Sequence, residues 1–92
     1  MEEEFIVNAQ QSISAAFDSV NLINETITKP SDDENKDLVK INVEHLEIML
    51  GKDFFSNELT TEQRSEIDNT IISGKSYLNY SFIYFSFDFI NL

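Results

Sequence analysis

The amino-terminal part of the chain carries an apolar residue at alternating intervals of three and four positions, from residue 6 to residue 27. The average period is about 3.5 residues, at which one strip of a helix faces another helix along its length. The strip consists of Ile6, Ala9, Ile13, Ala16, Val20, Ile23 and Ile27. We therefore predict a helix over about 5–28 that packs on another helix, of the same chain or of a second copy, with Ile13 and Val20 as contact residues.

The positions that flank this strip carry no charge, whereas coiled coils use charged flanking residues to select their partners. These positions hold Gln10, Ser12, Ser19, Asn24 and Thr26. The pattern therefore favours a mixed helical bundle over a free-standing coiled coil.

A second helix is predicted over about 31–51. Pro30 disfavours helical geometry in the residue before it, and Ser31 with Glu34 has the spacing of a capping box. A broad apolar stripe follows, and Gly51 is expected to end the helix as its carboxyl cap. The stripe consists of Leu38, Val39, Ile41, Val43, Leu46, Met49 and Leu50.

Residues 52–59 are predicted to form a connector with two adjacent aromatic residues, Phe54 and Phe55. A connector that holds such large apolar side chains is expected to bury them against the end of the bundle. We interpret both as a plug of the core, with a ligand pocket as the alternative.

A third helix is predicted over about 60–80. Thr60 and Gln63 have capping-box spacing, and Arg64 and Asp68 lie one helical turn apart with opposite charges. Small and apolar residues recur at helical spacing at Ile67, Ile71, Gly74 and Leu78. The glycine among them is expected to allow a close helix crossing.

The last segment, 81–92, changes from helical to strand periodicity, because phenylalanines alternate with Ser86 and Asp88. We predict an extended aromatic tail that pairs with a partner, while an alternative has it fold back onto the core. Its contact residues are Phe82, Phe85, Phe87 and Phe89. The predicted fold is an all-α, three-helix bundle-like domain over 1–80 followed by this tail.

Charge narrows the classes of partner. Seventeen acidic and six basic residues give a net charge of −11, which repels nucleic-acid backbones and anionic membranes. We therefore predict other proteins or a second copy as partners, without direct contact to nucleic acid or membrane. The absence of cysteine and the acidic start at Glu2 to Glu4 also predict a soluble protein that is not secreted through a signal peptide.

No catalytic or cofactor-binding constellation is predicted. His45 is the sole histidine, and its neighbours one turn away, Ile41 and Met49, offer neither a metal ligand nor an orienting carboxylate. We interpret His45 as a structural residue. Gly51 and Gly74 lie too far apart to form a phosphate-binding loop.

Four residues have the spacing of an EF-hand calcium loop. Its sixth position needs glycine for a sharp turn, but Leu38 occupies it here. The four are Asp33, Asn35, Asp37 and Glu44. We interpret them as turns of a capped helix and predict no metal site.

The strings NVEHLEIML at 42–50, KDFF at 52–55 and LTTEQ at 59–63 resemble those of short uncharacterised proteins of tailed phages, especially marine ones. The resemblance covers about half of the chain and implies no activity or cofactor. It implies a location in the virion or the host cytoplasm.

These observations predict a non-enzymatic phage structural or accessory protein that assembles with other proteins through the apolar helix strip, the tail or both. The alternative is an acidic, host-directed inhibitor that mimics nucleic-acid phosphates. A small hydrolase is a third hypothesis and requires a pocket around His45.

Overall fold

The computed structural model describes the backbone of residues 2–90 and the side chains of residues 8–78. Within this part of the chain the fold has four helices and no strand, which confirms the all-α class. They are α1 (Glu2–Thr26), α2 (Asp33–Leu50), α3 (Asp53–Ser56) and α4 (Thr61–Ile90). The contacts predicted for the tail, 81–92, through Phe82, Phe85, Phe87 and Phe89 lie outside the described side chains and stay a prediction.

The strip on α1 packs inside the chain. Ala9, Ala16, Val20 and Ile23 are completely buried. A short turn over 27–32 joins α1 to α2, so the two helices pack as antiparallel neighbours. The short side chains of the two alanines allow the neighbouring helices to approach closely.

The start of α2 differs from the prediction. Asp32, rather than Ser31, is the amino-terminal cap, and its carboxylate accepts a hydrogen bond from the Asn35 backbone N–H at 2.8 Å. The Asn35 side-chain amide donates to the Pro30 carbonyl at 2.9 Å. An aspartate one residue later than the predicted cap satisfies a free N–H of the first turn, and its charge complements the helix dipole.

The connector between α2 and α4 also differs from the prediction. Gly51 caps α2 as predicted, but residues 53–56 form the one-turn helix α3 instead of an irregular segment. This turn directs the two aromatic rings differently: Phe55 is completely buried, whereas Phe54 is 38% exposed. Only Phe55 therefore plugs the core.

The capping box predicted for the last helix is confirmed in both directions. The Gln63 N–H donates to the Thr60 hydroxyl at 3.1 Å, and the Thr60 N–H donates to the Gln63 side-chain oxygen at 2.9 Å. Arg64 and Asp68 form the predicted ion pair, with 3.6 Å between Nε and Oδ2.

Gly74 lies at a close crossing of α4 over α1 and α2, as predicted. A Cβ atom at this position would lie 2.5 Å from Cγ2 of Val43 and 3.4 Å from Cγ2 of Ile23. Since real Cβ atoms essentially never come within 3.0 Å of another heavy atom, α4 can pack this closely only with glycine here.

One core joins all four helices. The buried residues of this core are Ala16, Val20, Ile23, Val39, Val43, Leu46, Phe55, Ile67 and Ile71. Outside the core, the Tyr77 hydroxyl ties α4 to the α1–α2 turn, donating to the Pro30 carbonyl at 2.9 Å and lying 3.3 Å from the Lys29 carbonyl.

Candidate interaction surface

α2 is apolar on two faces, and only one of them contributes to the core. Val39, Val43 and Leu46 are buried against the other helices. Leu38 and Ile41, which the sequence placed in the same broad stripe, are instead 36% and 63% exposed. The broad apolar stripe predicted from the sequence is therefore buried only in part.

The exposed apolar residues of α2, together with His45, form a second regular stripe. At 100° per residue, its centre lies about 150° around the helix from the centre of the buried face. It comprises Leu38, Ile41, His45 and Ile48, spaced three, four and three residues apart; we call it the outer α2 stripe. Ile48 is 62% exposed, and His45 is also exposed. The stripe therefore has the spacing with which a helix packs on another helix.

The two edges of the outer α2 stripe differ chemically. On one edge, Asn42 donates from its side-chain amide to the Leu38 carbonyl at 2.8 Å, and Asn35 is bonded to Pro30. On the other edge lie two exposed carboxylates, Asp37 and Glu44, seven residues apart. One edge is therefore neutral and already hydrogen-bonded, and the other is acidic.

The acidic edge is not neutralised by an ion pair within the part of the chain whose side chains are described. The nearest basic residues in sequence are Lys36, directly before Asp37, and Lys40, three residues after Asp37 and four before Glu44. No ion pair joins either lysine to either carboxylate. The ion pair of α2 with α4, Lys75 Nζ to Glu47 Oε2 at 2.9 Å, lies on a different side of the helix.

The contact residues predicted from the sequence occupy other places. Val20 is completely buried, and Ile13 packs partly buried against the same core. Both therefore contact other helices of their own chain. The structure brings neither of them to the outer α2 stripe.

Other large apolar residues with exposed side chains are dispersed. Ile72 on α4 is 65% exposed, Leu22 on α1 is 37% exposed, and Phe54 lies on α3. Ile72 has exposed polar neighbours on its own helix, such as Asn69 and Lys75. It matches Ile41 and Ile48 in residue type and exposure without belonging to the stripe.

The described polar side chains are less well arranged for catalysis than the outer α2 stripe is for binding a helix. An open groove between α1 and α4 is lined by Glu62, Glu66, Thr70 and Asn24, whose side-chain amide lies 3.4 Å from the Thr70 hydroxyl. Both glutamates are exposed, whereas acid/base catalysis by a carboxyl pair needs one of the two carboxyls buried in a cleft.

The calcium-loop spacing has a helical explanation. Asp33, Asn35 and Asp37 lie in the first turns of α2, where Asp32 caps the helix. A helix cannot wrap these side chains around one ion as a calcium loop does. Among the described residues, no group of three or more acidic, histidine or cysteine side chains is placed to hold a metal ion.

Within the described part of the chain, no helix combines the length and apolar character that a membrane span requires. No family model, curated protein or solved structure matches the chain.

The sequence contained a signal for the outer α2 stripe. Leu38, Ile41, His45 and Ile48 repeat at the same three-and-four spacing as the strip on α1. The apolar positions of α2 together span more of the helix circumference than one core-facing stripe requires. Dividing them into two stripes would have indicated a second contact face.

Proposed function

We propose that the chain is a non-enzymatic structural or accessory protein that acts by binding another protein, and that the outer α2 stripe is its contact surface. The exposure of Ile41 and Ile48, 63% and 62%, carries this proposal. Both belong to a helix whose opposite face already packs in the core, so no contact with another residue of the described range 8–78 explains their regular spacing.

The energetics favour a docked state. Covering an isoleucine that water now reaches contributes about 25 cal/mol for each Å² of apolar surface removed, or about 1.4 kcal/mol for a largely exposed side chain. Each such residue thus strengthens binding about tenfold. Ile41 and Ile48 lie two helical turns apart on the same face, so one partner helix can cover both.

The biological setting belongs to the same proposal. The string at 42–50, which resembles short proteins of tailed phages, includes His45 and Ile48 of the stripe. This resemblance supports a role in the virion or in the host cytoplasm during infection.

The experiment compares the full chain with the double variant Ile41→Gln/Ile48→Gln and with Ile72→Gln, which changes an equally exposed isoleucine outside the stripe. Proteins recovered from the native source with the wild-type chain are purified, and their affinity for each variant is measured. We expect the double variant to bind about 100-fold more weakly and Ile72→Gln to bind like the wild type.

Equal affinity of the double variant and the wild type for every recovered protein contradicts the proposal. So does the lack of any stoichiometric partner when the chain is also monomeric at high concentration. Circular dichroism of each variant verifies that lost affinity is not lost folding.

The net charge of −11 favours a second candidate, an inhibitor that presents carboxylates to a nucleic-acid-binding protein in place of phosphates. Binding of that kind uses many charges and weakens steeply with salt. It also requires no apolar stripe. Retained affinity of Ile41→Gln/Ile48→Gln, combined with steep salt dependence and competition by DNA or RNA, favours the inhibitor over the assembly protein.

A further inference from the structure

We infer that the occupant of the outer α2 stripe is an amphipathic helix of a partner protein that carries basic residues along one edge of its apolar face. This inference rests on the proposed function and adds the chemistry of the partner. The observation behind it is the difference between the two edges of the stripe, one acidic and one neutral.

The acidic edge sets the charge of the partner. Asp37 and Glu44 flank the stripe at positions from which helices in contact exchange charged pairs. Both are exposed and have no ion pair among the described residues. A partner helix with lysine or arginine residues seven positions apart can pair with both carboxylates while its apolar residues cover Leu38, Ile41 and Ile48.

The neutral edge indicates that the partner helix carries basic residues on only one edge of its apolar face. Asn35 and Asn42 already use their amides in hydrogen bonds within their own chain. Basic residues facing this edge gain no ion pair there. The arrangement therefore favours a helix with basic residues on one edge and neutral residues on the other.

A second copy of the chain fits the same surface poorly. The apolar spacing allows an antiparallel pair with Leu38 opposite Ile48 of the copy, but the symmetry axis then passes close to residue 43. The two Glu44 carboxylates come to lie on the same side near that axis, where like charges repel. Each copy also has a net charge of −11, which opposes self-association.

The test uses the full chain and a synthetic helical peptide of about 21 residues, or three heptads, with leucine in the apolar positions and lysine along one edge. A control peptide has glutamate in place of the lysines. Affinities are measured at about 50 mM and about 500 mM salt, across which screening of exposed charges increases strongly. We expect the lysine peptide to bind at least about tenfold more tightly at low salt than the glutamate peptide.

Matched variants locate the interaction. Asp37→Asn/Glu44→Gln should weaken binding of the lysine peptide about fivefold, as expected for two partly exposed ion pairs, and reduce its salt dependence. Glu62→Gln/Glu66→Gln removes the same charge from α4 and should leave the affinity within about twofold of the wild type, because the distance and salt screen these groups. Ile41→Gln/Ile48→Gln should abolish binding at both salt concentrations.

Several results would overturn the inference. Equal loss of affinity in both pairs of charge variants means that the peptide senses net charge and not the acidic edge. If the two peptides bind equally well and Ile41→Gln/Ile48→Gln abolishes the binding of both, the partner does not need basic residues. That result contradicts the basic partner helix but not the proposed assembly function. If neither peptide binds, the proposed partner chemistry is also wrong.

Two further outcomes would assign the outer α2 stripe to a different occupant. Self-association that Ile41→Gln/Ile48→Gln abolishes and Asp37→Asn/Glu44→Gln does not weaken assigns the stripe to a second copy. A large drop in the melting temperature of the full-length Ile41→Gln/Ile48→Gln variant means that the chain itself covers the stripe. Either result contradicts a basic partner helix.

Discussion

At the residue scale, Gly74 decides how closely α4 can approach α1 and α2. Two effects of replacing it oppose each other. Alanine favours a helix over glycine by about 1 kcal/mol, but its Cβ atom would lie 2.5 Å from Cγ2 of Val43. Val43 is only 3% exposed and belongs to the core, so its side chain has little room to move. Overpacking of this kind costs about 1–3 kcal/mol and outweighs the gain.

Gly74→Ala should therefore lower the free energy of unfolding by up to about 2 kcal/mol, measured by denaturant titration. In a Val43→Ala background the clash is gone, and the same change should be neutral or stabilising. Gly51→Ala is the control. A Cβ atom at residue 51 would lie an ordinary 3.4 Å from the Ile48 carbonyl oxygen, and the Gly51 φ angle of −76° is one that alanine adopts. Equal destabilisation by Gly74→Ala in both backgrounds contradicts a steric cause.

Tyr77 links stability to alkaline pH. Desolvation and the nearby Asp32 carboxylate raise the pKa of the Tyr77 phenol above its ordinary value of 10.0. The folded state therefore holds the phenolic proton more tightly than the unfolded state. Its contribution to stability is complete below about pH 10 and is lost as the pH rises through the raised pKa.

We expect unfolding measurements to show that Tyr77→Phe lowers stability by about 0.5–1 kcal/mol at neutral pH, because the hydroxyl no longer bonds the Pro30 carbonyl. Above pH 10 the gap between variant and wild type should narrow. A gap that stays constant to higher pH would show that the phenol does not titrate differently in the two states.

At the element scale, α2 has one face that packs in the core and an exposed apolar face that we propose for binding. Val43 and Leu46 hold it in the core, while Ile41 and Ile48 on the other side contribute little to the fold. Most of the stability of a helix in a protein comes from the packing of its buried face. Substitutions on the outer face should therefore leave the helix folded. A loss of affinity in the Ile41→Gln/Ile48→Gln variant can then be attributed to the lost contact and not to unfolding.

The capping box of α4 provides an element-scale prediction. Thr60→Ala removes the hydroxyl that accepts the Gln63 N–H and should lower the free energy of unfolding by about 1 kcal/mol. Thr61→Ala changes the adjacent, exposed threonine and should have an effect within about 0.5 kcal/mol. Chemical denaturation of the two variants in parallel tests this, and similar losses in both would argue against the cap.

At the scale of the whole molecule, one small core depends on contributions from every helix. Val20 lies at 0% exposure within it, whereas Ile41 is 63% exposed. Replacement by aspartate should therefore destabilise the fold at Val20 and leave its stability nearly unchanged at Ile41. A buried carboxylate without a partner costs several kcal/mol, against a typical total stability of about 5–15 kcal/mol.

Val20→Asp should abolish the cooperative thermal transition followed by circular dichroism, while Ile41→Asp should keep a melting temperature close to that of the wild type. Native-like melting of Val20→Asp would mean that Val20 of α1 is not buried in the core. A loss of folding in Ile41→Asp would show that the outer α2 stripe is covered within the chain.

The sequence by itself determined the features that depend on local spacing. The strip on α1, the Thr60–Gln63 capping box and the Arg64–Asp68 pair all follow from residues a few positions apart in a helix, whose geometry is the same in every fold. The cap of α2 shifted by one residue because Ser31 and Asp32 are both good caps.

Only the tertiary structure decided which apolar residues of α2 and α3 are inside. Leu38 and Val39, like Phe54 and Phe55, are adjacent and apolar, so hydrophobicity alone cannot rank them. The neighbouring helices can cover only one side of α2, and their positions select Val39 and leave Leu38 partly exposed. The one-turn geometry of α3 selects Phe55 in the same way. The candidate surface could thus be found from its spacing but could be recognised as exposed only once the helices had been placed around the core.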